Sequence, residues 1–325
     1  METTSDRSAP IFRVGPDNEP HYRDRPLSEL LELGFERVWG LLVDGVPSPV
    51  LPHAEPFPLP VRTGDTRVDV QSAIAQLAPV WGYRPIVDIS PERAREDLAR
   101  ASVLTLSFVA QSARGPDVPA IPQREVEQGR SVAERFLIRW SGAASADHVR
   151  ALDALWTVLA EHGPQLPSTR IARIAAGNGA DVGACLAGAI SGVSGALAAG
   201  SVARARRFAV RVHDGEDAVE VAREALGEQV TVAGVESSDV SRRAELLREV
   251  SRRLDVRLFA AASALDRATV QELDVPAGAT ASLWCAALLD HLGFEPRLFN
   301  ALVICGRTAG WSAHVLEAQA ELLQS

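Results

Sequence analysis

The sequence predicts a mainly α-helical protein. Apolar residues recur at three- and four-residue spacing in segment after segment. Serines and an aspartate stand where those segments should begin as helices. Period-two alternation, the mark of a half-buried strand, is nearly absent. Only the start of the chain and Gln229–Val235 read as extended.

Residues 1–10 read as a disordered tail, and Ile11 to Tyr22 as a short extended stretch with the turn signal GPDNEP. From Leu27 to Leu42, the residues Leu27, Leu30, Leu31, Phe35, Val38, Leu41 and Leu42 fall at helical spacing, with Gly34 inside the pattern. Prolines crowd 46–62 and make it a loop. Helices are expected next at 69–79 and 91–113. The second is opened by Ser90-Pro91-Glu92, a serine cap with proline in the first turn. Residues 114–123 form a Gly/Pro loop, and periodicity returns at 124–141 and 146–161. Gly163, Pro164 and Pro167 interrupt it. Further helices are expected at 169–176, 181–193, 201–212, 215–226, 240–253 and 256–265, then at 280–292, 296–305 and 307–322.

At 325 residues and 46% hydrophobic, the chain is long enough for two domains with a substantial core. Its net charge of −9 argues against a nucleic-acid partner and against a polybasic membrane patch. All 33 basic residues are arginine, so a lysine Schiff base, a P-loop lysine and a kinase lysine are excluded. Cys185, Cys285 and Cys305 are odd in number, widely spaced and set in apolar helical contexts. They read as reduced, packed thiols of a cytoplasmic protein. The N-terminus lacks the apolar core of a signal peptide. The run from Ala184 to Ala199 is too short and too rich in Gly and Ser for a membrane span, and reads as a closely packed helix.

Local motifs give no function by themselves. GNGADVG at 177–183 comes after a helix pattern rather than a strand. It reads as a glycine helix stop with an Asp181 cap behind it, not as a dinucleotide loop. Ser191 and Ser194 do not complete G-x-S-x-G. The histidines form no H-x-x-x-H pair, so no metal site is expected.

Three longer stretches carry a resemblance. HYRDRPLSELLELGFERVWGLLVDG (21–45) resembles the N-terminal Y-R-G-Y segment and adjoining helix of the citrate synthase family, which includes the 2-methylcitrate synthases. ALDALWTVLAEHGPQLPSTRIARI (151–174) is similar to the family helix leading into D-H-x-x-N-A-S-T. LLDHLGFEPRLFNALVICGRTAGWSAHVLEAQ (288–319) is similar to L-G-I-P-x-x-L-F and then R-T-x-G-W-x-A-H-x-x-E-Q. The resemblance covers roughly residues 11–320. It implies a two-domain helical fold, with 11–198 and 282–325 in a large domain and 199–281 in a small one that closes over a cleft.

The family's reaction needs a carboxylate to take a proton from the thioester methyl, a histidine to stabilise the enolate and a second histidine to polarise the ketone. By the resemblance, Ala198 stands at the first histidine, in the turn 195–200 that the family writes G-P-L-H-G-G. Ser237 stands near the second histidine and Ser282 at the aspartate. Asp274, eight residues upstream of Ser282, reads as a loop or cap residue. The family's C-terminal tail, with an arginine for the neighbouring subunit, is expected to be missing beyond Ser325.

His162 matches the histidine that binds the 2-oxo acid, or is a helix-end histidine. Arg307 matches the arginine that holds a substrate carboxylate, or is paired with a glutamate such as Glu317. Arg243 matches a position that could contact a coenzyme A phosphate, although Arg242, Glu245, Arg252 and Arg253 around it suggest a solvated helix face.

The resemblance with these losses implies a non-catalytic paralogue, acting as a homodimer or as the partner of an active homologue. An alternative is a repurposed enzyme that binds a small carboxylate or acyl-CoA in the old cleft, with Ser194, Ser237 and Ser282 as polar groups. Ordinary condensation of an acyl-CoA with oxaloacetate ranks third. No covalently bound cofactor is expected; a coenzyme A thioester would be a substrate.

Overall fold

The computed structural model describes residues 9–16, 18–48, 51–194, 200–227, 239–272 and 281–324. Among them the extended start of the chain becomes a small antiparallel sheet, with β1 (Phe12–Val14), β2 (Pro20–Tyr22) and β3 (Arg25–Pro26) in that order. Phe12 faces Tyr22 across the first pair. Arg23 ties the sheet to the chain on either side of it. Its Nη1 donates to the carbonyl of Ala9 at 2.7 Å, and Nε and Nη2 donate to Leu42 O at 3.2 and 2.7 Å. Ala9, which lies inside the stretch expected as a tail, is buried. The other expected strand, Gln229–Val235, lies outside the described residues.

Gly34 divides the helix expected over 27–42 into α1 (Leu27–Leu30) and α2 (Phe35–Asp44). It sits at φ +80, a conformation that side chains disfavour, and the next N–H, on Phe35, donates to Asp153 Oδ1 at 3.1 Å. The segment expected at 69–79 is likewise two helices, α3 (Thr66–Ala75) and α4 (Leu77–Trp81), with Asp65 capping the first. α5 (Pro91–Arg114) opens as its sequence dictates: Ser90 Oγ accepts the N–H of Arg93.

The region 124–141 divides into α6 (Gln123–Val126) and α7 (Val132–Ser141), because Ser131 caps a new start on Glu134 N. α8 (Ala146–Leu159) is capped by Ser145, and α9 (Pro167–Gly177) begins on its proline rather than after it. GNGADVG ends α9 and starts α10 (Val182–Ser191). Gly179 takes φ +78, and Asp181 Oδ1 accepts Ala184 N. Then come α11 (Ser201–His213), α12 (Ala218–Gly227), α13 (Asp239–Arg253), α14 (Phe259–Arg267) and α15 (Ala281–His291).

The last element, α16 (Phe299–Gln324), is one helix of 26 residues where the sequence suggests two. Gly306 and Gly310 do not interrupt it; they are where it lies against the end of α8. A Cβ on Gly306 would meet Trp156 O at 3.1 Å, and Gly310 N donates to Ala160 O at 3.2 Å. α16 packs against α2, α5, α8, α9 and α10 and so forms the axis of the core. Four tryptophans are fully buried in the protein: Trp39, Trp156, Trp284 and Trp311. The ring N–H groups of Trp39, Trp156 and Trp311 are satisfied by Ser102 Oγ, Leu302 O and Ser168 Oγ.

The small residues of α10 and its end meet their own chain. A Cβ on Gly192 would lie 2.6 Å from Ser168 Cα, and one on Gly188 would lie 3.1 Å from Ile171. The three cysteines are free and buried, and burial pushes the thiols of Cys185 and Cys285 up to about 12. Among the described residues, no helix is long and apolar enough to cross a membrane. None of their His, Cys, Asp or Glu side chains gather in threes as a metal site.

Candidate functional site

The floor of the site is the turn after α8. The chain leaves the helix at Leu159 and passes through Ala160, Glu161 and His162 to Gly163, which takes φ +96. Glu161 is fully buried, and its Oε1 accepts the backbone N–H of His162 at 2.8 Å and that of Gly163. Tyr22 braces the turn from below. Its buried hydroxyl accepts Glu161 N at 3.3 Å and lies 3.0 Å from both Thr157 O and Val158 O.

Two arginines converge on this turn from different helices. Arg307 comes from α16 and is 4% exposed. Its Nη1 donates to His162 Nδ1 and to Leu159 O, while Nη2 is buried with no hydrogen-bond partner. Arg243 comes from α13, which packs against α8 and β2. It is 1% exposed and donates to Tyr22 Oη at 2.9 Å, to Val158 O and to Glu161 O at 2.7 Å.

These contacts fix the electrostatics. Burial, reinforced by the charges of Arg243 and Arg307, holds His162 well below the usual histidine range. The ring is neutral, and since a guanidinium only donates, Nδ1 must be its acceptor and Nε2 its N–H. Burial pulls Arg307 below the ordinary arginine value against the opposing pull of Glu161, yet a guanidinium stays charged in proteins. Burial alone would raise Glu161; His314, Arg307 and the Gly163 N–H outweigh it and keep the carboxylate ionised.

Above the floor is a cavity of about 660 Å³, a size that suits a small-molecule ligand. His162, Arg243, Ser194, Ser282, Cys285 and Asn300 are among its walls, and the first turn of α11, Gly200 to Ala203, closes one side. An anion would meet a cationic floor, a neutral histidine and hydroxyl and amide groups there.

The structure brings His162 and Arg307 into contact with each other. The solvated-face reading of Arg243 is corrected: its neighbours Arg242 and Glu245 pair with each other near the surface, but Arg243 points inward and joins the floor. The Glu317 partner considered for Arg307 is corrected as well. Glu317 pairs with Arg173, and the carboxylate acting on Arg307 is Glu161. Ser282 and Ser194 line the cavity, whereas Ala198, Ser237 and Asp274 lie outside the described residues. Glu161, Tyr22 and Asn300 do not stand out in the sequence as site residues. The signals are there, in a glutamate beside His162 in AEHG and in an asparagine directly after Leu298-Phe299, but neither residue type announces burial.

The family model described as "Citrate synthase, C-terminal domain" matches residues 2–324. The "Putative citrate synthase 2" of Mycobacterium tuberculosis is 42% identical over 308 residues, which are 91% of this chain and 82% of the relative. The 2-methylcitrate synthase of Shewanella oneidensis is 27% identical over 183 residues, 54% of this chain and 48% of the relative. Among solved structures, the ternary complex of carboxymethyl coenzyme A and oxaloacetate with the citrate synthase of Thermoplasma acidophilum superposes with a TM-score of 0.70 at 15% identity, covering 98% of this chain and 92% of that one. The citrate synthase of Thermotoga maritima gives 0.66 at 21% identity, covering 94% and 87%. At these identities the structural likeness speaks for the fold.

Proposed function

Because this chain belongs to the citrate synthase family, we propose that it is a member which holds a small carboxylate in the cleft but no longer condenses it with a thioester. In this reading it acts as a non-catalytic paralogue, paired with a second copy or with an active homologue, and residues 199–281 form the domain that covers the cleft. One observation carries the carboxylate half: His162 and Arg243 line the cavity, and behind His162 the buried guanidinium of Arg307 grips its ring and keeps Nη2 without a hydrogen-bond partner. A buried donor left unmade costs about 1–3 kcal/mol, which a carboxylate oxygen near it would offset. That the Thermoplasma enzyme holds oxaloacetate within the same fold supports the choice of ligand.

The other half rests on sequence. Alanine at 198 offers no proton, and serines at 237 and 282 are poor bases at neutral pH. The identity to a relative whose name is a citrate synthase favours a second reading, in which condensation persists. The two readings share the binding step. Calorimetric titration with oxaloacetate should give saturable binding, weakened at least about tenfold in Arg307→Met, since a charge-assisted bidentate contact is worth roughly 1.5–3 kcal/mol. Equal affinity in the two proteins, or no heat with either, would remove Arg307 from the site.

A further inference from the structure

The floor continues inward past Glu161. Oε1 of that residue holds the turn, but Oε2 has no hydrogen-bond partner. It faces Nε2 of His314, also buried and without one, at 3.4 Å. Both side chains are almost wholly enclosed, at 0% and 2% exposure. Gly310, one turn before His314, leaves the room: a Cβ there would run into Glu161 Oε2.

On its far side, His314 Nδ1 lies 3.3 Å from Arg173 Nη1 on α9 and 3.6 Å from Glu317 Oε2 on its own helix. Arg173 also pairs with Glu321, so the chain of charges runs from beneath His162 to the surface. Glu161, Arg173 and Glu317 are the charged groups set against His314, and Arg307, two turns back on α16, acts on the same Glu161.

We infer that the Glu161–His314 pair positions His162, so that gain or loss of a proton on His314 is transmitted to the cleft. This rests on the carboxylate-binding reading only for its consequence, not for its mechanics. The mechanics are local: Glu161 is the side chain bonded to the two amides that shape the His162 turn. Its other oxygen has the His314 ring as the group that faces it. With His314 charged, Nδ1 carries a proton that suits Glu317 rather than the Arg173 guanidinium, and both ends of the Glu161 carboxylate are held. Without that charge, Oε2 is a buried anion oxygen facing a weaker partner, and the turn loses part of its restraint.

Burial lowers His314, but Glu161 and Glu317 outweigh it and leave its value above that of a free histidine. A group raised in this way keeps its proton, and the stability it contributes, at low pH and loses both as pH rises through the folded value. The anion affinity of the cleft should fall over the same interval, by roughly tenfold, the scale of ordinary site-to-site coupling.

The test is imidazole NMR of the whole protein between pH 6 and 9, with His314→Gln and His314→Asn alongside. The His162 ring signal should shift through the midpoint at which His314 titrates, and should be flat in both variants. A His162 signal that ignores the titration of His314 in the unmodified protein overturns the inference, whether or not either variant folds. Oxaloacetate titrations at the two ends of the range separate the two claims. Binding that weakens with pH only when His314 is present supports both. No binding at any pH, with His162 still tracking His314, leaves the positioning intact and removes the carboxylate.

Discussion

Gly310→Ala is expected to lower the stability of the protein by about 3 kcal/mol or more, at the upper end of what overpacking a core does. The methyl group has nowhere to go. A Cβ at 310 would stand 2.5 Å from the carbonyl oxygen of Ala160, which already accepts Gly310 N, and closer still to Glu161 Oε2. Neither obstacle is the loose end of a surface side chain: one is backbone, and the other is a buried carboxylate fixed by two amides. To accept the methyl, α16 must move off α8, and that separation would also draw Arg307 from His162. The control is Gly306→Ala, where the nearest atom is Trp156 O at 3.1 Å and a small adjustment suffices. Urea denaturation of the three proteins measures the difference. A Gly310→Ala midpoint equal to that of the unmodified protein would contradict the packing described for the end of α8.

Arg243→Met is expected to cost about 3 kcal/mol and to abolish anion binding. Methionine keeps the apolar stem but leaves Val158 O, Glu161 O and Tyr22 Oη without the guanidinium they accept from, and an unmade buried hydrogen bond costs about 1–3 kcal/mol each before relaxation. Those three acceptors belong to β2, α8 and the turn after it, while the arginine belongs to α13. The side chain is therefore a tie between α13 and the floor of the cleft. Arg243→Lys should rescue little, because one ammonium cannot reproduce a planar fork aimed at three acceptors. Thermal unfolding with and without oxaloacetate reads both effects. Unchanged melting in Arg243→Met would mean that α13 is held to α8 by other contacts.

How far the sequence carries the fold depends on which interactions are local. The caps at Ser90 and Asp181 are legible because the chemistry spans three residues, and each side chain accepts the N–H that its position implies. The division at Gly34 and the continuity through Gly306 and Gly310 are not legible. Both turn on partners more than a hundred residues away, Asp153 in the first case and Trp156 with Ala160 in the second. Propensity treats a glycine as a break or as a flaw in a pattern; only the neighbouring helix reveals it as a point of close approach.

The site divides the same way. His162 and Arg307 are visible as residues, and their contact arises from α16 lying across the end of α8. Arg243 misleads in sequence because four charged neighbours imply a wet face, whereas it belongs to the face of that helix that is buried, with Ala244, Leu247 and Ser251. Glu161 and His314 are invisible as a pair because nothing in AEHG or SAHVLE says that the two side chains meet inside the core.

The central claim is that the cleft retains the means to hold a carboxylate while the groups that move protons are gone. Release of free thiol from acetyl-coenzyme A, monitored continuously at saturating oxaloacetate, tests it most directly. The prediction is no oxaloacetate-dependent release above background for the unmodified protein, since missing groups of this kind commonly cost on the order of 10²–10⁴ in rate each. Sustained turnover that depends on both substrates would contradict it.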